Sequence, residues 1–205
     1  MAISRVKTSS ILQGFPKSRS LLAGNTAFSP SSFESIATVT VGSGGAANVE
    51  FTSIPSTYTH LQIRGFARTS RATYGVDALR YQLNADTGSN YSWHHLRGDG
   101  ATTEASAGTS ISYMESQRIL GTTTGASFGA LVMDILDYKD TNKYTTVRVL
   151  GGVDVNGTVG GIGGAVMITS GNWRNTNAVT SIKLYGDSAN FAEYSQFALY
   201  GIKGA

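Results

Sequence analysis

His94 and His95 stand side by side next to Trp93, and imidazoles are the side chains most often recruited to bind metals or move protons. Neighbouring residues of a strand point to opposite faces, so one metal ion cannot take both without distortion. His60 is the only other histidine, and no acidic pair stands at ligand spacing near it. The pair is therefore expected in a packed or half-exposed aromatic cluster, with no metal site. Arg97-Gly98-Asp99 spells an integrin-binding tripeptide, but three residues recur easily, and Asp99-Gly100 is ordinary turn chemistry. Asp154-Val155-Asn156-Gly157 begins like a calcium loop, yet no acidic residue lies between Asp154 and Asp187 to close it. A turn with Asn-Gly at its tip is the expectation. Asp134, Asp137 and Asp140 are interleaved with Lys139 and Lys143, which suits a solvated strand end with balanced charge.

Other chemistries find less support. Gly160-Gly161-Ile162-Gly163-Gly164 is followed by no Lys-Ser/Thr and opens no helix, so a phosphate loop is excluded. Serines are plentiful, yet none lies in a Gly-x-Ser-x-Gly elbow with a plausible base. The absence of cysteine excludes disulfides, thiolate metal sites and thiol catalysis, and fits a reducing cytoplasm or a particle assembled there. Paired carboxylates for glycan hydrolysis depend on proximity in space, which spacing along the chain does not decide. The expectation is a non-enzyme without cofactor, in which any bound ion is an oxygen-ligated calcium stabilising a turn.

The elements that position these residues are strands. Ser35–Val41 alternates, with Ile36, Thr38 and Thr40 on one face and Ala37, Val39 and Val41 on the other. Gly42-Ser43-Gly44-Gly45 turns the chain into Ala46–Phe51. Thr59–Arg68 sets Leu61, Ile63 and Ala67 against Gln62, Arg64 and Arg68, with Gly65 marking a bulge or a close contact. Val76–Asn84 alternates likewise. Further strands are predicted at Ile111–Glu115, Ser127–Leu136, Lys143–Val153, Gly161–Ile168, Ala178–Tyr185 and Tyr194–Ile202. The nearly continuous apolar run of Ser127–Leu136 predicts a strand buried on both sides. About ten strands with glycine-rich turns predict an all-β, two-sheet antiparallel sandwich, jelly-roll-like, with a closed barrel as the nearest competitor.

Composition agrees: 25 glycines, 3 prolines and only 14% charged residues in a chain of 205, with 40% hydrophobic content to build a core. The net charge of +3 is unevenly placed. Residues 1–30 carry Arg5, Lys7, Lys17 and Arg19 without an acidic residue (+4); the remaining 12 basic and 13 acidic residues leave −1. Residues 1–32 keep no period and hold isolated apolar anchors, so they read as an extended basic N-terminal docking arm ahead of a sandwich domain at 33–205. Within it Arg5, Lys7, Phe15, Pro16, Lys17, Arg19, Leu21 and Leu22 are the candidate docking residues, with protein rather than nucleic acid as partner. A strand added to the chain's own sandwich is the alternative. No signal peptide is read, since Gly14, Pro16, Lys17 and Arg19 interrupt any apolar stretch, and no run reaches membrane-spanning length.

The segment Phe33–Gly65 (FESIATVTVGSGGAANVEFTSIPSTYTHLQIRG) resembles the opening of a family of small structural proteins of tailed bacteriophages, especially phages of aquatic bacteria. The likeness continues through Thr87–Ser92, Leu96–Gly100, Gly171–Arg174, Val179–Ile182 and Phe197–Lys203, in order across the body. It implies an all-β virion component, usually a homotrimer, assembled in the host cytoplasm. The arm then looks like an adaptor to other phage structural proteins.

Two placements follow from it: a tail or baseplate fibre-like appendage, or a capsid decoration, cement or head-fibre protein. A glycan-degrading enzyme is the third reading. In the appendage reading, loops carrying Tyr91, Trp93, Trp173, Arg174 and Asn175 are candidate contacts with a host-surface glycan or protein, because aromatics and arginine concentrate binding energy. Trp173 equally suits a plug at the end of the sandwich.

Overall fold

Runs of alternating apolar and polar residues, cut short by glycine and small polar turns, become strands throughout the body. The computed structural model describes residues 32–159 and 162–204. Among them are twelve strands: β1 (Phe33–Thr40), β2 (Val49–Phe51), β3 (His60–Ala67), β4 (Val76–Leu83), β5 (Tyr91–Gly98), β6 (Thr103–Ile111), β7 (Met114–Leu120), β8 (Gly129–Leu136), β9 (Thr145–Val159), β10 (Ile162–Trp173), β11 (Ile182–Gly186) and β12 (Gln196–Ile202). The candidate docking residues Arg5, Lys7, Phe15, Pro16, Lys17, Arg19, Leu21 and Leu22 lie outside the described residues.

The strands form two antiparallel sheets, one of eight in the order β1-β12-β3-β8-β9-β10-β5-β6 and one of four in the order β2-β11-β4-β7. This is the expected two-sheet sandwich and not a closed barrel. The chain alternates between the sheets through β2, β3, β4 and β5, and again from β6 to β7 to β8. That is jelly-roll winding, with the meander β8-β9-β10 standing where one strand would suffice. Between the sheets lies one main core containing Phe51, Leu61, Ile63, Leu79, Tyr81, Leu83, Met133, Val147, Val149, Leu184, Phe191 and Phe197, all buried. A smaller cluster of Val76, Leu120, Val153 and Ala165 closes one flank.

Several expectations are corrected. The segment Ile111–Glu115 is not one strand: Ile111 ends β6, Met114 and Glu115 begin β7, and Ser110, at φ 54°, is the extra residue of a bulge in β6 opposite Tyr91 and Ser92. Strand β9 runs past Asn156-Gly157, so that pair is no hairpin tip. Asp154 pairs with Gly164 and Val159 with Ile162, and the positive φ of Asn156 (45°) and Gly157 (119°) marks an irregularity inside the strand. In β1 a bulge between Ser35 and Ala37 brings Ile36 to the core beside Ala37 and Val39, away from the face it was expected to share with Thr38 and Thr40. Gly65 is a close contact, not a bulge: a Cβ there would lie 2.5 Å from the Phe197 ring, and the β3 ladders keep unbroken register.

The apolar run of β8 is buried on one side only. Leu131, Met133 and Ile135 face the core, while Ala130, Val132 and Leu136 are exposed on the outer face of the large sheet. A run of apolar residues satisfies a core face whatever occupies the positions between, so alternation cannot report which face is covered.

Candidate functional site

Of the five candidate surface contacts, three are core residues. Tyr91 and Trp93 lie on β5 and Trp173 ends β10, and all three are buried between the sheets. The reading of these aromatics as exposed contacts is therefore corrected, and the plug reading of Trp173 describes its position. The Trp173 indole N–H donates to Asp86 Oδ2 at 2.7 Å, and Asn90 Nδ2 donates to the same oxygen at 2.9 Å. The Gly88 amide donates to Asp86 Oδ1 at 2.8 Å. Burial alone would raise the Asp86 pKa; the donors from Trp173, Asn90 and Gly88 outweigh it and hold the carboxyl below the usual carboxylate range. Tyr91 stacks near Trp173 with centroids 6.4 Å apart, and its hydroxyl donates towards the Leu83 and Asp86 carbonyls. Only Arg174 and Asn175 remain at the surface. The Arg174 guanidinium donates to the Ser89 carbonyl at 2.6 Å and to Ser110 Oγ at 3.2 Å, so it staples this end instead of reaching outward.

His94 and His95 point to opposite faces, as adjacency on a strand requires. His94 is exposed on the outer face, while His95 is buried against Trp93 in a parallel stack with centroids 5.1 Å apart and planes at 7°. Gly108 of β6 leaves the room the indole needs, since a Cβ there would stand 2.7 Å from its nitrogen. Both His95 nitrogens are buried without a hydrogen-bond partner. Burial lowers the His95 pKa, with Arg118 and Arg97 adding to the effect and Glu115 and Glu104 opposing it.

The fold thus holds a neutral imidazole that the unfolded chain protonates at its ordinary pKa of about 6.5. The stability this neutral form provides is complete above that pH and is lost as pH falls below it towards the lowered folded-state value. A His95→Phe variant is expected to show a flatter fall of the urea midpoint between pH 7.5 and 5.5 (roughly the window set by that pKa) than the parent. Identical slopes would rule the effect out.

The remaining sequence candidates are absorbed by local structure. Asp99 Oδ1 accepts from the Ala101 and Thr102 amides at 3.0 and 2.6 Å, closing the β5–β6 hairpin, and these bonds draw its pKa down to about 2. Arg97 pairs with Glu104 across the same hairpin. Asp137 and Asp140 share Lys143, and Asp134 accepts from Gln62 at 2.7 Å and Arg148 at 2.9 Å. No group of three histidine or acidic residues among the described residues is placed to hold a metal ion.

Sequence reasoning reached the apolar outer face of the large sheet only in part, through Ala165 and Val166 of the low-charge segment Gly161–Thr169. The registers align Val132 with Leu150, Leu150 with Ile168, Ile168 with Leu96 and Leu96 with Ala105, a single row across β8, β9, β10, β5 and β6. These side chains are exposed by 37% at Val132, 53% at Leu150, 45% at Ile168 and 54% at Leu96, and Val166 in the next row by 65%. An antiparallel sheet with one solvated face normally carries polar residues at these positions. The Ala165-Val166 pair, whose two apolar side chains cannot both face one core, pointed to an exposed apolar face, but the row across the other strands has no such sign in the sequence. The structure buries Ala165 and exposes Val166. Neither a protein-family model nor a curated protein nor a solved structure matches the chain.

Proposed function

We propose that this chain is a structural subunit of a tailed-phage virion, a fibre-like appendage of the tail or baseplate held by its N-terminal arm. The observation that carries this reading is the way β1, the strand into which the arm leads, is built into the body. β1 is the edge strand of the large sheet and pairs with β12 from Phe33–Ile202 to Thr40–Gln196. Phe33 stacks on Tyr200 with centroids 4.8 Å apart, and the Arg64 guanidinium lies 5.0 and 5.7 Å from the two rings. Glu34 accepts from Lys203 Nζ at 2.8 Å and from the Tyr58 hydroxyl at 3.0 Å; these partners, Lys203 first, lower its pKa. Ladder bonds lie across the strand direction, so a pull along β1 loads them together instead of one by one. Such reinforcement suits a strand that transmits load from an attachment point.

The resemblance to phage structural proteins supplies the particle, the homotrimer and the docking partner, another virion protein. Deleting residues 1–30 is expected to leave a soluble, folded body that no longer incorporates into particles. Normal occupancy of the truncated protein, measured by gel densitometry of purified particles, would end the adaptor reading. Imaging of labelled subunits on intact particles distinguishes tail from capsid.

A further inference from the structure

Strand direction gives the sandwich two distinct ends. The ladders align Glu34, Gly201, Leu61, Ile135, Val147 and Gly171 in one row across the large sheet. Thr40, Gln196, Phe66, Ala130, Gly152 and Val166 form another, six residues further along β1. The chain enters the body at Phe33, so the first row lies at the entry end and the second at the far end. Trp173, Arg174 and Asn175, just beyond Gly171, belong to the entry end, as does the exposed Tyr144, next to the Thr145 that pairs with Trp173.

Three loops at the far end are tied into one platform: residues 68–75 between β3 and β4, 121–128 between β7 and β8, and 187–195 between β11 and β12. The Ser70 amide donates to the Asn190 carbonyl at 2.8 Å and the Ala192 amide to the Arg68 carbonyl at 2.7 Å. The Thr122 amide donates to the Arg71 carbonyl and the Gly121 amide to the Gly75 carbonyl, both at 2.9 Å. Ser195 Oγ accepts from the Arg68 amide at 3.1 Å and donates to the Arg68 carbonyl at 3.0 Å. Loops fixed by a scaffold in this way present their side chains in one arrangement.

Two tyrosines stand out from this platform. Tyr74 is 53% exposed, and the Arg71 guanidinium lies 5.3 Å from its ring centroid. Tyr194 is 63% exposed and takes φ 70°, a conformation that a β-carbon makes costly and glycine enters freely. The turn imposes that backbone: the Tyr194 amide donates to the Val41 carbonyl at 2.9 Å and the Ser195 amide to the Ala192 carbonyl at 3.2 Å. Glycine would satisfy the turn, and a ring so exposed contributes little packing in return for the strain. Strain carried by an exposed side chain points to a role outside folding.

The surroundings of the rings indicate the ligand. Ser70, Thr73, Thr122, Thr123, Ser188 and Asn190 are exposed, giving hydroxyls and an amide. The charges of the three loops balance, Arg68 and Arg71 against Asp187 and Glu193. Such a surface has neither the continuous apolar centre of a protein interface nor the basic excess that attracts nucleic acid or anionic lipid. A sugar fits it: its C–H face stacks on an aromatic ring, and its hydroxyls exchange hydrogen bonds with hydroxyls and amides. Rings on separate loops suit a polymer, whose successive units can engage them together.

We infer that the far end binds a neutral polysaccharide of the bacterial surface, with Tyr74 and Tyr194 as the stacking residues. The inference rests on the reading of the chain as an appendage held through its N-terminal arm, because anchorage at the entry end leaves the far end to meet the host. It moves recognition from the end that carries Arg174 and Asn175 to the opposite one.

The test is binding of the fluorescently labelled full chain to an array of purified bacterial capsular polysaccharides and O-antigens. Wild type, Tyr194→Gly, Tyr74→Ala and Tyr144→Ala are compared, the last a control at the entry end. Wild type and Tyr144→Ala are expected to bind the same neutral polysaccharide, and Tyr194→Gly and Tyr74→Ala to bind it at least about tenfold more weakly. Tyr194→Gly separates binding from folding, since its urea midpoint should stand at or above the parent's. A wild type that binds no neutral polysaccharide overturns the inference, as do far-end variants that bind like the parent or a Tyr194→Gly midpoint below it. So does binding to cells of the propagating host that proteinase K abolishes and periodate spares, which would identify a protein receptor. A chain that binds no polysaccharide yet needs residues 1–30 for incorporation would end this inference and leave the proposed function standing. Polysaccharide binding through Tyr194 by a chain that incorporates without residues 1–30 would do the reverse.

Discussion

Replacing Trp173 by alanine is expected to destabilise the body by about 3–5 kcal/mol, read as a large drop in the urea midpoint at unchanged slope. The indole is buried at the end of β10, and truncation removes its contacts together with the donor to Asp86. Asp86 would keep Asn90 and Gly88 but lose its shortest bond, so the loop from Asp86 to Asn90 should loosen as well. Trp173→Phe separates the two contributions. It retains most of the packing and loses only the hydrogen bond to a carboxylate, at a cost of about 1.5–3 kcal/mol. A partner-binding defect with no change in midpoint would contradict this result and return Trp173 to the role of a contact.

Asp77→Ala is expected to lose a comparable amount, about 3–5 kcal/mol, because it removes one member of a buried charged group. Asp77 is fully buried at the start of β4. Its Oδ1 accepts from the Ala78 amide at 2.9 Å and from the Ser188 amide at 3.2 Å, and Arg71 lies 3.6 Å away. The carboxylate therefore ties β4 to the turn after β11, which the Asp187 amide also joins through the Ala78 carbonyl at 2.9 Å. Alanine leaves the buried Ala78 amide and the partly buried Ser188 amide without this acceptor, and Arg71 without its counter-charge. Asn should recover part of the loss, since its carbonyl can still accept from one amide. Urea denaturation at neutral pH measures both variants; a midpoint for Asp77→Ala within experimental error of the parent would show that the group is not structural.

Much of this architecture was legible in the sequence, and for a common reason. Thr59–Arg68 places Leu61 and Ile63 against Gln62 and Arg64, and a strand with one buried face leaves that pattern whatever its neighbours are. The same holds for β9, where Val147 and Val149 alternate with Thr146 and Arg148. Strand β6 escaped because Thr103–Ile111 is an edge strand of small and polar residues, exposed along most of its length, so its sequence carries no apolar period. Strand β5 escaped because Tyr91 and Trp93 read as loop aromatics, and only the β5–β10 ladder shows that they face inward.

The sequence by itself determined an all-β sandwich, the change of character near Phe33, and the divergence of His94 from His95. All of these follow from local composition and the two-residue period of a strand. Only the tertiary structure decided which apolar residues are covered. Val132, Leu150, Ile168 and Leu96 are far apart in the chain, and each looks like an ordinary core residue in its own strand. Their union into one exposed row depends on strand order and register, which are set by which strands pair and where. A slip of one residue in any of those ladders would send its side chain to the opposite face.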